Sequence, residues 1–94
     1  MTSLLLVAFL GCSNVEDGAF RQGLQSLREG DASAAVTVLS DVLEEGGRNA
    51  GVYHAMGNSL YRLDRKAEAA AAWRRGLLLA PRDGDIAANL DHVR

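Results

Sequence analysis

Cysteine and proline each occur once in this chain of 94 residues, aromatic residues make up only 5%, and no apolar run exceeds seven residues. Each shortage excludes something. One cysteine leaves no intrachain disulfide framework and no Cys-cluster zinc site. A run of seven falls far short of the roughly 20 apolar residues that a membrane-spanning helix needs. His54 and His92 stand far apart in the chain, and the sequence spells out no Ser-His-Asp set, paired-carboxylate pocket, phosphate-cradling loop or metal cluster. The expectation is therefore no enzyme, no cofactor and no metal. Charge of one sign is also missing: 10 Lys and Arg against 12 Asp and Glu give a net charge of -2, so no blanket basic surface awaits a nucleic-acid backbone.

What is present favours helix. Hydrophobic residues reach 48% and charged residues 23%, with alanine and leucine dominant, which is the composition of one small folded helical domain. Sliding the chain against itself aligns Gly23 with Gly57, Leu27 with Tyr61, Ala35 with Ala69, Leu39 with Trp73 and Leu43 with Leu77, all at one offset. A period of about 34 residues reads as stacked helix-turn-helix units. Repeat one spans 16–49 and repeat two 50–83. Breakers at Gly30-Asp31, Gly46-Gly47, Leu63-Asp64 and Pro81-Arg82-Asp83 cut the repeats into helices at about 16–29, 32–45, 50–63 and 66–80, with Asp31 and Asp64 expected as N-caps. A fifth helix starts after Asp83 or Gly84, with Ile86, Leu90 and Val93 on one face. The expected fold class is all-α: an α-solenoid of two helix-turn-helix repeats with a capping helix at 84–94.

The segment from Tyr53 to Arg65, continuing through Ala69, Trp73 and Leu77 to Pro81, resembles a tetratricopeptide repeat. Gly57, Ala69 and Pro81 match the family signature outright, and Tyr53, Met56, Leu60 and Trp73 match by class. Gly76 stands where the family prefers alanine. Repeat one keeps Gly23, Ala35 and Leu39 but has Gln22 at a usual leucine and Gly47 at the closing proline. More distantly, repeat two followed by Ala88-Asn89-Leu90 is similar to the tetratricopeptide segment of the Bat aerotolerance proteins of the bacterial envelope.

A glycine inside a helix costs about 1 kcal/mol relative to alanine. Close approach of paired helices supplies the offset, with Gly23 expected against Ala35 and Gly57 against Ala69. On that expectation Gly57→Ala is near neutral. Trp73 reads as core. The last helix carries Asp91 where a full repeat has its glycine, and its polar residues read as a solvating cap.

The resemblance implies a non-catalytic interaction module in which the first helix of each repeat lines a concave surface for a partner peptide or helix. On that face His54, Asn58 and Arg62, with Tyr61, make a polar line, and Phe20, Leu24, Leu27 and Arg28 are the counterpart in repeat one. Arg28 and Arg62 share a repeat position, so they are expected side by side as a site for a carboxylate or other anion. Chaperone-tail-binding members of the family use a Lys and an Asn spaced like His54 and Asn58; histidine here replaces that lysine.

Charge divides by repeat. Residues 16–49 hold seven acids and three bases, net -4, and residues 50–83 three acids and six bases, net +3. Such polarity can steer a partner or stack copies head to tail, making a homo-oligomer one alternative, and the commoner reading is solvated surface charge.

At the other end, Leu4 to Leu10 followed by Gly11 and Cys12 resembles the lipobox of bacterial lipoproteins, in which the cysteine thiol receives diacylglycerol. Phe9 stands where that family usually has leucine, and Met1-Thr2-Ser3 lacks the usual basic residue. The resemblance implies a signal segment at 1–12, lipidation of Cys12 and a place in the cell envelope on a membrane anchor. The alternative is a cytosolic adaptor in which residues 1–12 form a loose apolar helix.

Overall fold

The computed structural model describes residues 18–93, all helix and short turn. Helix α1 covers the described residues 18–28; α2 is Ala32–Glu44, α3 Ala50–Arg62, α4 Lys66–Leu79 and α5 Gly84–Val93. They pack in sequence order as helix-turn-helix pairs, the all-α solenoid expected, with α3 paired more extensively to α4 than to α2. Cys12 and the expected signal segment lie outside the described residues.

Caps set the boundaries. Asp31 Oδ1 accepts from the Ala34 amide at 3.0 Å and starts α2, and Asn49 Oδ1 accepts from the Val52 amide at 2.9 Å and starts α3. Asp83 Oδ1 takes the Asp85 and Ile86 amides at 3.0 and 3.1 Å and starts α5. Helix α1 ends at Gly30 (φ 85°), where Asp31 N bonds Ser26 O at 2.8 Å and Gly30 N bonds Leu27 O at 3.1 Å. That reciprocal pattern needs a left-handed residue, which glycine adopts without steric cost.

Asp64 corrects an expectation. It does not cap α4: its φ is 61°, Arg65 N bonds Leu60 O at 2.9 Å, and Asp64 N bonds Tyr61 O at 3.0 Å. Asp64 therefore closes α3 as Gly30 closes α1, at the same repeat position. The N-cap of α4 is Arg65, without a side-chain cap bond. Instead Arg65 Nε and Nη2 grip Glu68 Oε1 and Oε2 at 2.9 and 2.6 Å.

One apolar cluster runs through the described helices: Leu27, Ala32, Ala35, Leu39 and Val42 join Val52, Ala55, Met56, Leu60, Ala69, Ala72 and Trp73, then Ile86 and Leu90. The signature glycines are buried, but their nearest neighbours differ from expectation. A Cβ on Gly57 would strike Nε1 and Cδ1 of Trp73, and one on Gly23 would meet Leu39 at 2.9 Å. Each glycine thus makes room for the large residue one turn beyond the alanine expected to face it. Trp73 is 3% exposed and its Nε1 donates to His54 O at 3.3 Å, as core placement requires. Gly76 also has a reason to be small, since a Cβ there would stand 3.0 Å from Ile86 of α5.

Candidate partner-binding face

Helices α1, α3 and α5 are tied side by side through their side chains. Arg62 Nη1 donates to Leu27 O at 2.6 Å, linking α3 to the last turn of α1. Asn89 Nδ2 reaches from α5 to His54 Nε2 at 3.2 Å and to Asn58 Oδ1 at 3.1 Å. His92 Nε2 lies 3.1 Å from the Tyr61 hydroxyl, its ring edge-on to the phenol with centroids 5.9 Å apart. Tyr61 in turn leans on Trp73, centroids 6.0 Å apart.

These contacts share a register. Leu27–Arg62 and His54–Asn89 span 35 residues, and Asn58–Asn89 and Tyr61–His92 span 31. Phe20, whose ring would lie 3.5 Å from a Cβ on Gly51, fits the same series. Residues at one repeat position point the same way from each helix, so the residues that face each other between neighbours are offset from the period. Arg62 turns to Leu27 O, while Arg28 Nη1 is 3.4 Å from Gln25 Oε1 on its own helix.

The other candidates divide accordingly. Leu27 is 8% exposed and belongs to the core rather than to an open face. Phe20 is half-buried against the start of α3. Leu24, half-buried, and exposed Arg28 share one open face of α1 with Gly18, Arg21 and two glutamines. Asn58, Tyr61 and Arg62 line a cup of about 170 Å3 with Trp73, Asn89 and His92. Asn89 and His92 were missed by the sequence reading, which treated α5 as a cap. Their signal lay in the repeat spacing, one residue more or three fewer than the period.

Electrostatics separate this face from the rest of the molecule. Neither the described part of α1 nor any of α3 contains an aspartate or glutamate, while they carry Arg21, Arg28, Arg62 and His54. A pair with displaced protonation lies elsewhere: the Arg65 hydrogen bond holds the Glu68 carboxyl below its ordinary range, and Glu68 holds the Arg65 guanidinium above its own. Among the described residues no group of three or more His, Cys, Asp or Glu is placed to hold a metal ion, and no helix is long and apolar enough to cross a membrane.

Paired helices stacked in sequence with a shared inter-helix register define a helical-repeat protein of the α-solenoid class. The repeat itself has a family: residues 50–83 match the tetratricopeptide repeat, so α3 and α4 form one such unit. No curated protein matches the chain. A tetratricopeptide repeat is a protein-interaction unit, typically non-catalytic.

Proposed function

We propose that the chain is a non-enzymatic adaptor whose α1–α3 face receives an acidic segment of a partner protein, and that Cys12 tethers it to the bacterial cell envelope. The observation that carries the first part is the excess of basic over acidic side chains on the described residues of α1 and α3, which hold Arg21, Arg28 and Arg62, while the nearest acid is Glu29, one residue past α1 and bonded to Gln25 Nε2 at 2.8 Å. All acids of the described repeat one lie in the turns, in α2 or beyond the end of α1. An acidic peptide lying across α1 meets exposed Arg21 and Arg28 and half-buried Leu24, and the cup beside Arg62 accepts one side chain. The tether rests on the lipobox-like order of residues 4–12.

Cross-linking in intact cells, followed by pull-down and mass spectrometry, tests the binding face. Arg21→Glu with Arg28→Glu alters only exposed positions, so helicity is retained while recovery of the partner falls about tenfold or more. Unchanged recovery moves the partner off this face. Metabolic labelling with a palmitate analogue tests the tether: the label is incorporated by the wild-type chain and lost in Cys12→Ser.

A further inference from the structure

Two large apolar side chains on the outside of α4 stand far into solvent: Leu78 is 81% and Leu79 53% exposed. Arg74 and Arg75 precede them by one turn and Arg82 follows in the next turn, all three exposed. The same positions in repeat one hold Ser40, Asp41, Glu44, Glu45 and Arg48. Repeat one thus has an acidic, wholly polar outer strip where repeat two has a basic one with leucines at its centre. Arg75, at the edge of the strip, also lines an open groove of about 380 Å3 with Val36, Ser40 and Leu43 of α2 and Arg65 and Glu68 beside it; Arg74, Leu78, Leu79 and Arg82 line neither that groove nor the sites described above.

We infer that the outer strip of α4 docks on an anionic lipid bilayer surface, with Leu78 and Leu79 entering the headgroup boundary and Arg74, Arg75 and Arg82 on lipid phosphates. Charge complementarity on the chain itself argues against a second copy. Two copies meeting α4 to α4 set arginines against arginines. Meeting α4 to the equivalent strip of α2 places the leucines on Asp41 and Glu44. A bilayer supplies both requirements at once, anionic headgroups for the guanidinium groups and acyl chains for the leucines. It also orients the molecule, since the net -4 of residues 16–49 is repelled from the surface that attracts the +3 of residues 50–83. The α1–α3 face is a different surface, and lipidation of Cys12 is not required.

The test uses the full chain carrying Cys12→Ser and co-sedimentation with vesicles of phosphatidylglycerol and phosphatidylcholine in equal parts. Each arginine near an anionic surface is worth about a fivefold change in partitioning, so Arg74→Gln with Arg82→Gln should reduce it about 25-fold. Leu78→Glu, which installs the repeat-one residue, should reduce it by about tenfold or more. Arg48→Gln, the exposed arginine at the position of Arg82 in repeat one, should leave it unchanged, and added salt should weaken binding steeply. A fluorophore on Leu78→Cys should shift to the blue on these vesicles and one on Ser33→Cys should not. Equal binding by the parent and the Leu78→Glu chain, or equal binding to pure phosphatidylcholine, overturns the inference. So does a concentration-dependent rise in sedimenting mass that Leu78→Glu abolishes, which assigns the strip to self-association.

Discussion

Adding a single methyl group at Gly57 separates the structure from the sequence expectation. On propensity alone Gly57→Ala should be neutral or better, since alanine is favoured by about 1 kcal/mol in a helix interior. The geometry opposes this. The new Cβ would overlap Nε1 and Cδ1 of Trp73 and lie 2.7 Å from Cε2, where ordinary contact begins at 3.4 Å. Trp73 is 3% exposed and packed in the core, and displacing its ring strains the bond from Nε1 to His54 O. Overpacking of this kind costs about 1 to 3 kcal/mol, and a clash as close as this one belongs at the upper end of that range, so after the propensity gain of about 1 kcal/mol the net loss is up to about 2 kcal/mol. Each kcal/mol lowers Tm by about 4 to 8 °C in a domain of this size. Thermal melting followed by circular dichroism reads the effect. Because the clash is with one ring, the cost should shrink in a Trp73→Phe background, giving a coupling of about 1 kcal/mol in the double-mutant cycle. A Gly57→Ala chain that melts at or above the wild-type temperature, or a cycle with no coupling, refutes the proposed contact.

Local geometry gives three further outcomes. Asp64 holds a left-handed backbone (φ 61°) and its ion pair with Lys66 is long and exposed, so Asp64→Gly should raise stability by about 0.5 to 1 kcal/mol in chemical denaturation, with no gain from Asp64→Ala. Arg62→Ala should lower stability by about 1 kcal/mol while Arg28→Ala leaves it within error, because only Arg62 bonds across helices to a backbone carbonyl that otherwise keeps one partner. The carboxyl of Glu68 is held low by Arg65, so its contribution is present above the ordinary carboxylate range and lost as pH falls through the folded value. The stability difference between wild type and Glu68→Gln should therefore vanish in acid and shrink with salt.

Helix boundaries were legible because they are local chemistry. Gly30-Asp31, Gly46-Gly47 and Pro81 each end or start an element within reach of their own hydrogen bonds, and the expected ends lie within one or two residues of those found. Asp64 misled because aspartate serves two roles. It is common at N-caps, yet it also tolerates left-handed backbone. Its alignment with Gly30, one repeat earlier, was the clue that outranked residue type. The partners of Gly57, Arg28 and Asn89 were illegible for another reason. A repeat period says which residues are equivalent, but equivalent residues on stacked helices point alike and do not meet. Contacts between neighbours follow the 31- and 35-residue offsets, which depend on how one pair is shifted along the next.

That register also divides the proposed binding face into two parts with different energetics. Around the cup, Asn58 and His54 already share Asn89, and Tyr61 already meets His92. A partner group entering there exchanges one set of hydrogen bonds for another, and such an exchange contributes little net free energy. Its value is selectivity, because a group that fails to replace those bonds leaves half-buried amides unpaired. Along α1 the balance differs. Arg21 and Arg28 are exposed, and Arg28 has only a long bond to Gln25 to give up. In the proposed complex, attraction for an acidic segment would therefore fall mainly on α1, the helix of the weaker repeat signature, and recognition of particular side chains on α3 and α5. The helix that reads in sequence as a cap supplies two of the six side chains of the cup. Removing α5 would expose His54, Asn58 and Tyr61 without adding to the attraction, and would cost the site its selectivity before its affinity.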